Sequence, residues 1–445
     1  MSRNPKNSLR PFPAPRQEIT LTSTSLNPDF TFIHVADTHI GLNWPAIGRR
    51  DKIQIPVYGQ VFKTIIDTAI EKQVDFIIHA GDLVNHPRPP TAALNRLLQE
   101  LPRLKEAGIP FIATVGTHDR PSSYFDKAGG DILQLLDARL GLAKRIDTDQ
   151  TPRFEFKTKQ GTKISAYGLG DHGQDAEGKL LELRKQMNQE GDFSILVMHG
   201  SVSSMPQMIG SAVKTETISE LLSKKYVDYV ALGHNHRRWE HKDLQIYNPG
   251  STEYTSFADA PTVSYTYDGR TLKEESRELA EHGYYLVEVT GEIIKTQFKI
   301  LPTRDVWNVE VRFNEATAAQ VVEGTKQAIE KTASESSIIR PLIRGTLHPS
   351  ASRSEIAIQE IQSLRERMLF LDYPLIDLNA NQGQLKTMEG SDVQQLLNQY
   401  LAAKLGKRSE ETASIAAKLV ELYAHKTKTA HQEALGIIDR WQPHD

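Results

Sequence analysis

Five short apolar runs, over residues 32–36, 74–79, 110–115, 193–198 and 227–232, are each bounded by Gly, Asp or His. Runs of that length, closed by such residues, predict buried strands. Most follow a helical pattern; in one, over residues 61–70, Val61, Ile65, Ile66 and Ile70 fall on a single helix face. Buried strands alternating with one-faced helices predict an α/β layered domain, because helices must cover the faces of a parallel sheet. At the C-terminal ends of these strands stand Asp37-Thr38-His39, Gly81-Asp82, Gly116-Thr117-His118-Asp119, Met198-His199-Gly200 and Gly233-His234-Asn235-His236. Loops leaving neighbouring strands converge there, so the five segments are expected at one edge of the domain.

The residue types then define the chemistry. Asp37 and His39, two apart in an extended exit from a strand, would point the same way and hold one cation, and His234 and His236 repeat that spacing. Gly81 permits a tight turn, and the two oxygens of Asp82 can bridge two cations. Mixed imidazole and carboxylate donors suit Mn, Fe or Zn better than Ca or Mg. Two such ions roughly 3.5 to 4 Å apart would clamp a phosphate and supply hydroxide for in-line attack, so phosphoester hydrolysis is the expected reaction. Any one motif occurs by chance in many loops; the ordered set at strand ends carries the reading. His118 is the candidate for a non-ligand role, stabilising developing charge or protonating the leaving oxygen, with Asp119 orienting it and raising its pKa. The structural alternative is a loop-stabilising contact between those two residues. His34 and His79, inside strand runs, are expected in the core or behind the ligands, and His86 either behind them or in a solvated loop. Arg49, Arg50, Arg88, Arg120, Arg237 and Arg238 fall in loops beside these segments, where guanidinium groups can hold duplex phosphates without reading bases.

A chain of 445 residues exceeds one ordinary core. Residues 1–30 read as a flexible arm, 31–304 as the layered domain closed by strands over 284–289 and 293–300, and 305–380 as a strand-helix-strand-helix-strand α+β cap. Residues 385–445 read as helices whose apolar faces, such as Val393, Leu396, Leu397, Tyr400 and Leu401, need a partner surface. Cysteine is absent, which excludes disulfides and thiolate metal sites. No apolar run approaches the ~20 residues that cross a bilayer, so a soluble cytoplasmic protein with no membrane contact is expected. A net charge of −3 leaves the substrate open, since bound cations would add local positive charge.

The ordered set resembles the calcineurin-like metallophosphoesterase superfamily. Phe32-Ile33-His34-Val35-Ala36-Asp37-Thr38-His39-Ile40-Gly41, Gly81-Asp82-Leu83-Val84 and Pro249-Gly250-Ser251-Thr252-Glu253-Tyr254-Thr255-Ser256-Phe257 resemble, more narrowly, the SbcD-type nuclease subunit of the double-strand-break repair complex. Gly283-Tyr284-Tyr285-Leu286-Val287-Glu288-Val289 and Leu301-Pro302-Thr303-Arg304 extend the likeness. The resemblance implies a metallophosphoesterase domain of β-sheets flanked by helices, then a cap and partner-binding helices. It implies two divalent ions, Mn2+ first among them, one on Asp37, His39, Asp82 and His236 and the other on Asp82, His199 and His234. It further implies exonuclease action on duplex DNA ends and endonuclease action on single strands, in break repair or genome defence. An SbcC-type SMC-like coiled-coil ATPase docked by the C-terminal helices, a two-fold homodimer and a nucleoid-associated location complete what it implies. One position departs: the family has asparagine before the histidine of Gly116-Thr117-His118-Asp119, and Thr117 offers only a shorter, weaker neutral ligand. Two other readings stay open, a phosphatase or phosphodiesterase on a non-DNA substrate and a DNA-end-binding scaffold impaired through Thr117.

Overall fold

The computed structural model describes residues 28–42, 57–121, 130–188, 190–206, 210, 212–279 and 281–380. Most of the expected arm, Arg49 and Arg50, and the helices expected over 385–445 lie outside the described residues.

The first sheet holds β1 (Phe30–Val35), β2 (Phe76–His79), β3 (Phe111–Ala113), β15 (Gly283–Thr290) and β16 (Ile293–Ile300), with β4 (Lys144–Arg145) at its edge. Their order is β16-β15-β1-β2-β3-β4, parallel from β1 to β4 and antiparallel at β15 and β16. A second sheet holds β5 (Arg153–Lys157), β6 (Lys163–Leu169), β7 (Phe193–His199), β10 (Tyr229–Gly233), β11 (Trp239–His241) and β12 (Ile246–Asn248), in the order β11-β12-β10-β7-β6-β5. A two-stranded pair, β8 (Ser201–Val202) and β9 (Ala212–Val213), stands apart.

The two large sheets pack face to face. Phe32 and Phe76 stack at 4.8 Å, Tyr229 meets Phe32 edge-on at 5.3 Å, and Ile78, Ile112, Ile195, Val197 and Ala231 fill the rest of that layer. Helices α1 (Val57–Glu71) and α2 (Thr91–Glu106) cover the outside of the first sheet, burying Phe62, Ile65, Ile66, Leu97, Leu101 and Leu104. Each such side chain stabilises the fold by about 1.5–3 kcal/mol. Helices α3 (Ala176–Arg184) and α4 (Thr215–Ser223) do the same outside the second sheet through Leu180, Leu183, Ile218 and Leu221. The result is the expected layered domain of sheets flanked by helices, with the five sequence-predicted strands at its centre.

The third sheet forms the cap: β13 (Thr262–Tyr267), β14 (Leu272–Arg277), β17 (Val306–Ala316), β18 (Ile338–Leu347), β19 (Phe370–Leu371) and β20 (Leu375–Ala380). Here the expected boundary at 304/305 needs correction. The β13–β14 hairpin precedes that boundary yet pairs with β17 in parallel, Thr262 opposite Asn308 through Tyr267 opposite Phe313. Its alternating Val263, Tyr265 and Tyr267 are apolar on one face and match Val309, Val311 and Phe313, so burial draws the hairpin into the cap. Helix α5 (Ala318–Thr332) covers that face; it starts at a capping box in which Thr317 and Gln320 satisfy each other's backbone N–H, and it buries Val321, Ala328 and Ile329. The second helix expected in the cap is instead a turn (Arg353–Glu355), a short α6 (Ile358–Gln362) and a second turn (Ser363–Arg367). Its apolar residues Ile356, Ile361 and Leu364 are too sparse for a continuous stripe. Among the described residues, no helix is long and apolar enough to cross a membrane.

Candidate metal centre

The ends of β1, β2, β7 and β10 and the loop after β3 meet at one edge of the sandwich, but not by the extended geometry the two-residue spacing predicts. Asp37, His39, Asp82 and His234 have φ of 51°, 42°, 55° and 89°, all in the left-handed region. Each costs an L-residue about 1–2 kcal/mol, and such conformations persist where surrounding structure over-determines them. The loops supply that constraint by bonding to one another: Asp37 N–H donates to Gly81 O and His39 N–H to Asp82 O, both at 3.0 Å, and His234 N–H donates to the Asp37 carboxylate at 2.9 Å. Two glycines make the approach possible. A Cβ on Gly81 would lie 2.3 Å from His199 Nδ1, and one on Gly233 would lie 2.1 Å from Ala80 O.

Side chains from all these loops then converge. Asp37, His39 and His236 bring ligand atoms together, as do His39, Asp82 and His118, and Asp37, Asp82 and His199. The three groups overlap, and His39 Nε2 and His236 Nε2 are 3.1 Å apart. Asp37, His39, Asp82 and His199 are almost completely buried.

The donor set fits cations, as hydrogen bonding shows. His199 Nδ1 donates to Ala80 O at 2.8 Å, which aims Nε2, an atom buried without a hydrogen-bond partner, toward Asp82 Oδ2 at 3.4 Å. His236 Nδ1 donates to Asp259 Oδ2 at 3.1 Å, turning Nε2 toward His39. An imidazole whose far nitrogen is anchored on a carbonyl or carboxylate is set up as a metal ligand. Charge agrees with this. Burial pushes Asp37 up to about 6 and His39 down to about 3. Burial alone would raise Asp82, but His199 and His39 hold its carboxyl below the ordinary carboxylate range; burial likewise opposes charge on His199, which Asp82 nonetheless raises to about 10. The pocket demands positive charge at the position facing Asp82.

The description "Calcineurin-like phosphoesterase" belongs to the family whose profile matches residues 30–238, a span holding every residue of the three clusters. Residues 30–238 are a calcineurin-like phosphoesterase domain. The chain is 30% identical over 284 residues to the DNA double-strand break repair protein Mre11 of Sulfurisphaera tokodaii, covering 63% of each. It is 30% identical over 335 residues to Mre11 of Haloferax volcanii, covering 74% of this chain and 65% of that one. With Mre11 of Sulfolobus acidocaldarius it shares 25% identity over 414 residues, 92% and 99% of the two chains. Against the first two, the chain spans slightly less than two thirds of the relative's length.

Within the phosphoesterase domain, other expected residues fall as follows. His118 N–H donates to Asp82 Oδ1 at 2.7 Å, and His118 Nδ1 donates to Asn85 O at 2.9 Å. Asp119 is not the group that orients His118. Its buried carboxylate accepts from the N–H of Gly116, Val84 and Leu83 at 2.9, 3.1 and 3.3 Å, tying together the two loops that carry Asp82 and His118, and burial with the nearby Asp82 pushes it up to about 7. His234 enters none of the three clusters. Thr117 Oγ1 donates to Asp171 Oδ2 at 3.2 Å, and the His234 ring lies 5.0 Å from the His199 ring. His34 is buried between Tyr229 OH and Leu232 O, and His79 Nε2 meets Thr38 Oγ1, as expected of supporting residues; His86 is exposed.

The arginines divide. Arg120 is paired with the buried Asp147 at 3.1 Å, and Arg238 lies 4.2 Å over Phe298 with bonds to Tyr285 OH and Glu281. Both are spent inside the protein, because buried carboxylates and rings need those cations more than solvent does. Arg88 and Arg237 are exposed. Reading the sequence missed Asp259, Asn85 and Ala80. The last two act through backbone carbonyls, which carry no side-chain signature, and Asp259 lies 23 positions from the histidine it anchors.

Proposed function

We propose that the chain is a two-metal-dependent DNA nuclease. The observation that carries this reading is the overlap of three ligand clusters around Asp37, His39 and Asp82, with His118 at their edge. Asp37, His39, Asp82 and His236 would hold one divalent ion, Mn2+ in this proposal, and Asp82, His199 and His234 the other, with Thr117 beside it. Such ions bind phosphate oxygens and lower the pKa of bound water. The chain's own residues do the rest. Left-handed turns and Gly81 pre-form the cluster, so no reorganisation is needed when a phosphodiester arrives. Asn85 O holds Nδ1–H of His118, leaving Nε2 to carry a proton to the departing oxygen. Arg88 and Arg237, with Arg49 and Arg50, are proposed to bind the backbone of the strand.

What the names of the relatives say about break repair supports DNA as substrate. Exonuclease action on duplex ends and endonuclease action on single strands, an SMC-like ATPase partner docked through residues 385–445, a homodimer and a cytoplasmic, nucleoid-associated location belong to the same proposal. One observation favours the impaired-scaffold reading: the Thr117 hydroxyl is given to Asp171. Incubation with Mn2+ and labelled duplex, single-stranded and hairpin DNA, beside a generic phosphodiester and a His118→Ala control, separates the possibilities. DNA cleavage lost in the variant supports the nuclease, cleavage of the generic ester alone supports a different phosphodiesterase, and binding without cleavage supports the scaffold.

A further inference from the structure

A cavity of about 760 Å³ opens directly beside the metal centre and shares His236 and Asp259 with it. One wall is the segment Arg237 to Glu240, which runs from the ligand loop into β11; the far wall is the end of the β13–β14 hairpin, with Pro261, Glu278 and Leu279. Residues at both open ends of the hairpin thus border the cavity.

The lining is specific in its chemistry. Trp239, half-buried in an edge strand, lines the cavity, and so does Leu279, which is 87% exposed. Glu240 and Glu281 are already paired with Arg238, while Glu278 accepts from Thr262 N–H at 3.0 Å through one oxygen and keeps the other for a further donor. A flat, uncharged ring with amino or imino N–H groups at its edge fits both the indole of Trp239 and the open oxygen of Glu278. Arg237, exposed and with no ion pair among the described residues, is part of the same lining.

Resting on the nuclease reading, we propose that this cavity takes the nucleobase of the nucleotide next to the scissile phosphate, stacked on Trp239 and covered by Leu279. Stacking on an aromatic ring is tolerant of sequence, so the subsite fixes the strand's position without selecting a base. The phosphate lies on the metal centre, the base beside it, and a strand must be locally unpaired to be held this way.

The test uses the full-length protein with Mn2+ and single-stranded oligonucleotides, intact or with one base-free tetrahydrofuran residue moved along the strand. Trp239→Ala is expected to raise KM for the intact strand about tenfold, the loss of one stacked base, with little change in kcat. Trp239→Phe should restore most of that loss. Leu279→Ser, at an exposed position that cannot unfold the protein, should raise KM in the same direction. A base-free residue at one position relative to the cut should erase the difference between the wild type and Trp239→Ala. Binding of the same strands, followed by fluorescence anisotropy with metal ion omitted, should show the same pattern. If KM and binding do not respond to residues 239 and 279, or respond equally for strands with and without the base, the subsite is overturned; a cavity that docks a protein segment would give that result. Base-dependent binding through Trp239 with no cleavage by the wild type would overturn the nuclease reading and leave the subsite standing.

Discussion

The metal centre and the cap follow opposite rules. In α5 and β17 of the cap, local preference and final structure agree: α5 begins at a Thr317–Gln320 capping box, and β17 alternates buried Val309, Val311 and Phe313 with residues on the other face. At the candidate metal centre, four of the proposed ligands hold left-handed backbone, and buried carboxylates and imidazoles crowd together. A region can be locally consistent where it only has to fold; where it has to bind cations, the rest of the domain must hold it against its own preferences.

The largest expected effect is confined to the metal centre. His118→Ala should lower phosphodiester hydrolysis by about 10²–10⁴-fold, the contribution of a positioned proton donor, while urea unfolding stays as in the wild type. A parallel loss of stability would mean that His118 serves the loop and not the reaction.

Next in size is the joint between the regions. Glu253, almost completely buried, accepts from Tyr254 N–H at 3.0 Å and from Arg304 N–H at 3.3 Å, linking the loop after β12 to the start of the cap. Burial pushes its carboxyl up to about 7. The folded state therefore prefers the protonated form: its stabilising effect is complete below the unfolded value of 4.5 and is lost as pH rises toward 7. The loss amounts to roughly 3 kcal/mol, and Glu253→Gln should remove that part of the pH slope in denaturant titrations between pH 5 and about 8. An unchanged slope would exclude Glu253 as the coupling group.

Thr117→Asn restores a carbonyl ligand where the chain has a hydroxyl. It is expected to tighten the weaker of two metal-binding steps about tenfold in calorimetry. Unchanged stoichiometry and affinity would show that Asp171 and Thr117 do not limit the second ion. The smallest effect belongs to the cap: Thr317→Ala should cost about 1 kcal/mol of unfolding free energy, with hydrolysis untouched. If that variant altered hydrolysis, the two regions would not be energetically separate.

How far the chain could be read without its fold follows the same division. The five central strands, α1, the closing strands β15 and β16, and the strand-helix-strand start of the cap were legible because apolar periodicity is a local property. The convergence of Asp37, His39, Asp82, His118, His199 and His236 was legible because strand ends in a layered α/β fold share one edge. The left-handed turns were not, since they arise from bonds such as Asp37 N–H to Gly81 O between segments far apart in the chain. Nor was the role of Asp119, whose acidic side chain reads as a partner for its neighbour His118 until Gly116, Val84 and Leu83 are seen to occupy it.

By itself, then, the sequence determined which side chains could meet and what chemistry they could share, because residue type and strand-end position are written in order along the chain. Only the tertiary structure decided how they meet: which arginines are consumed by Asp147 and Glu281, which sheet receives the β13–β14 hairpin, and which carbonyl anchors each histidine. Those outcomes depend on competition among partners distant in sequence, and burial settles that competition once the layers close.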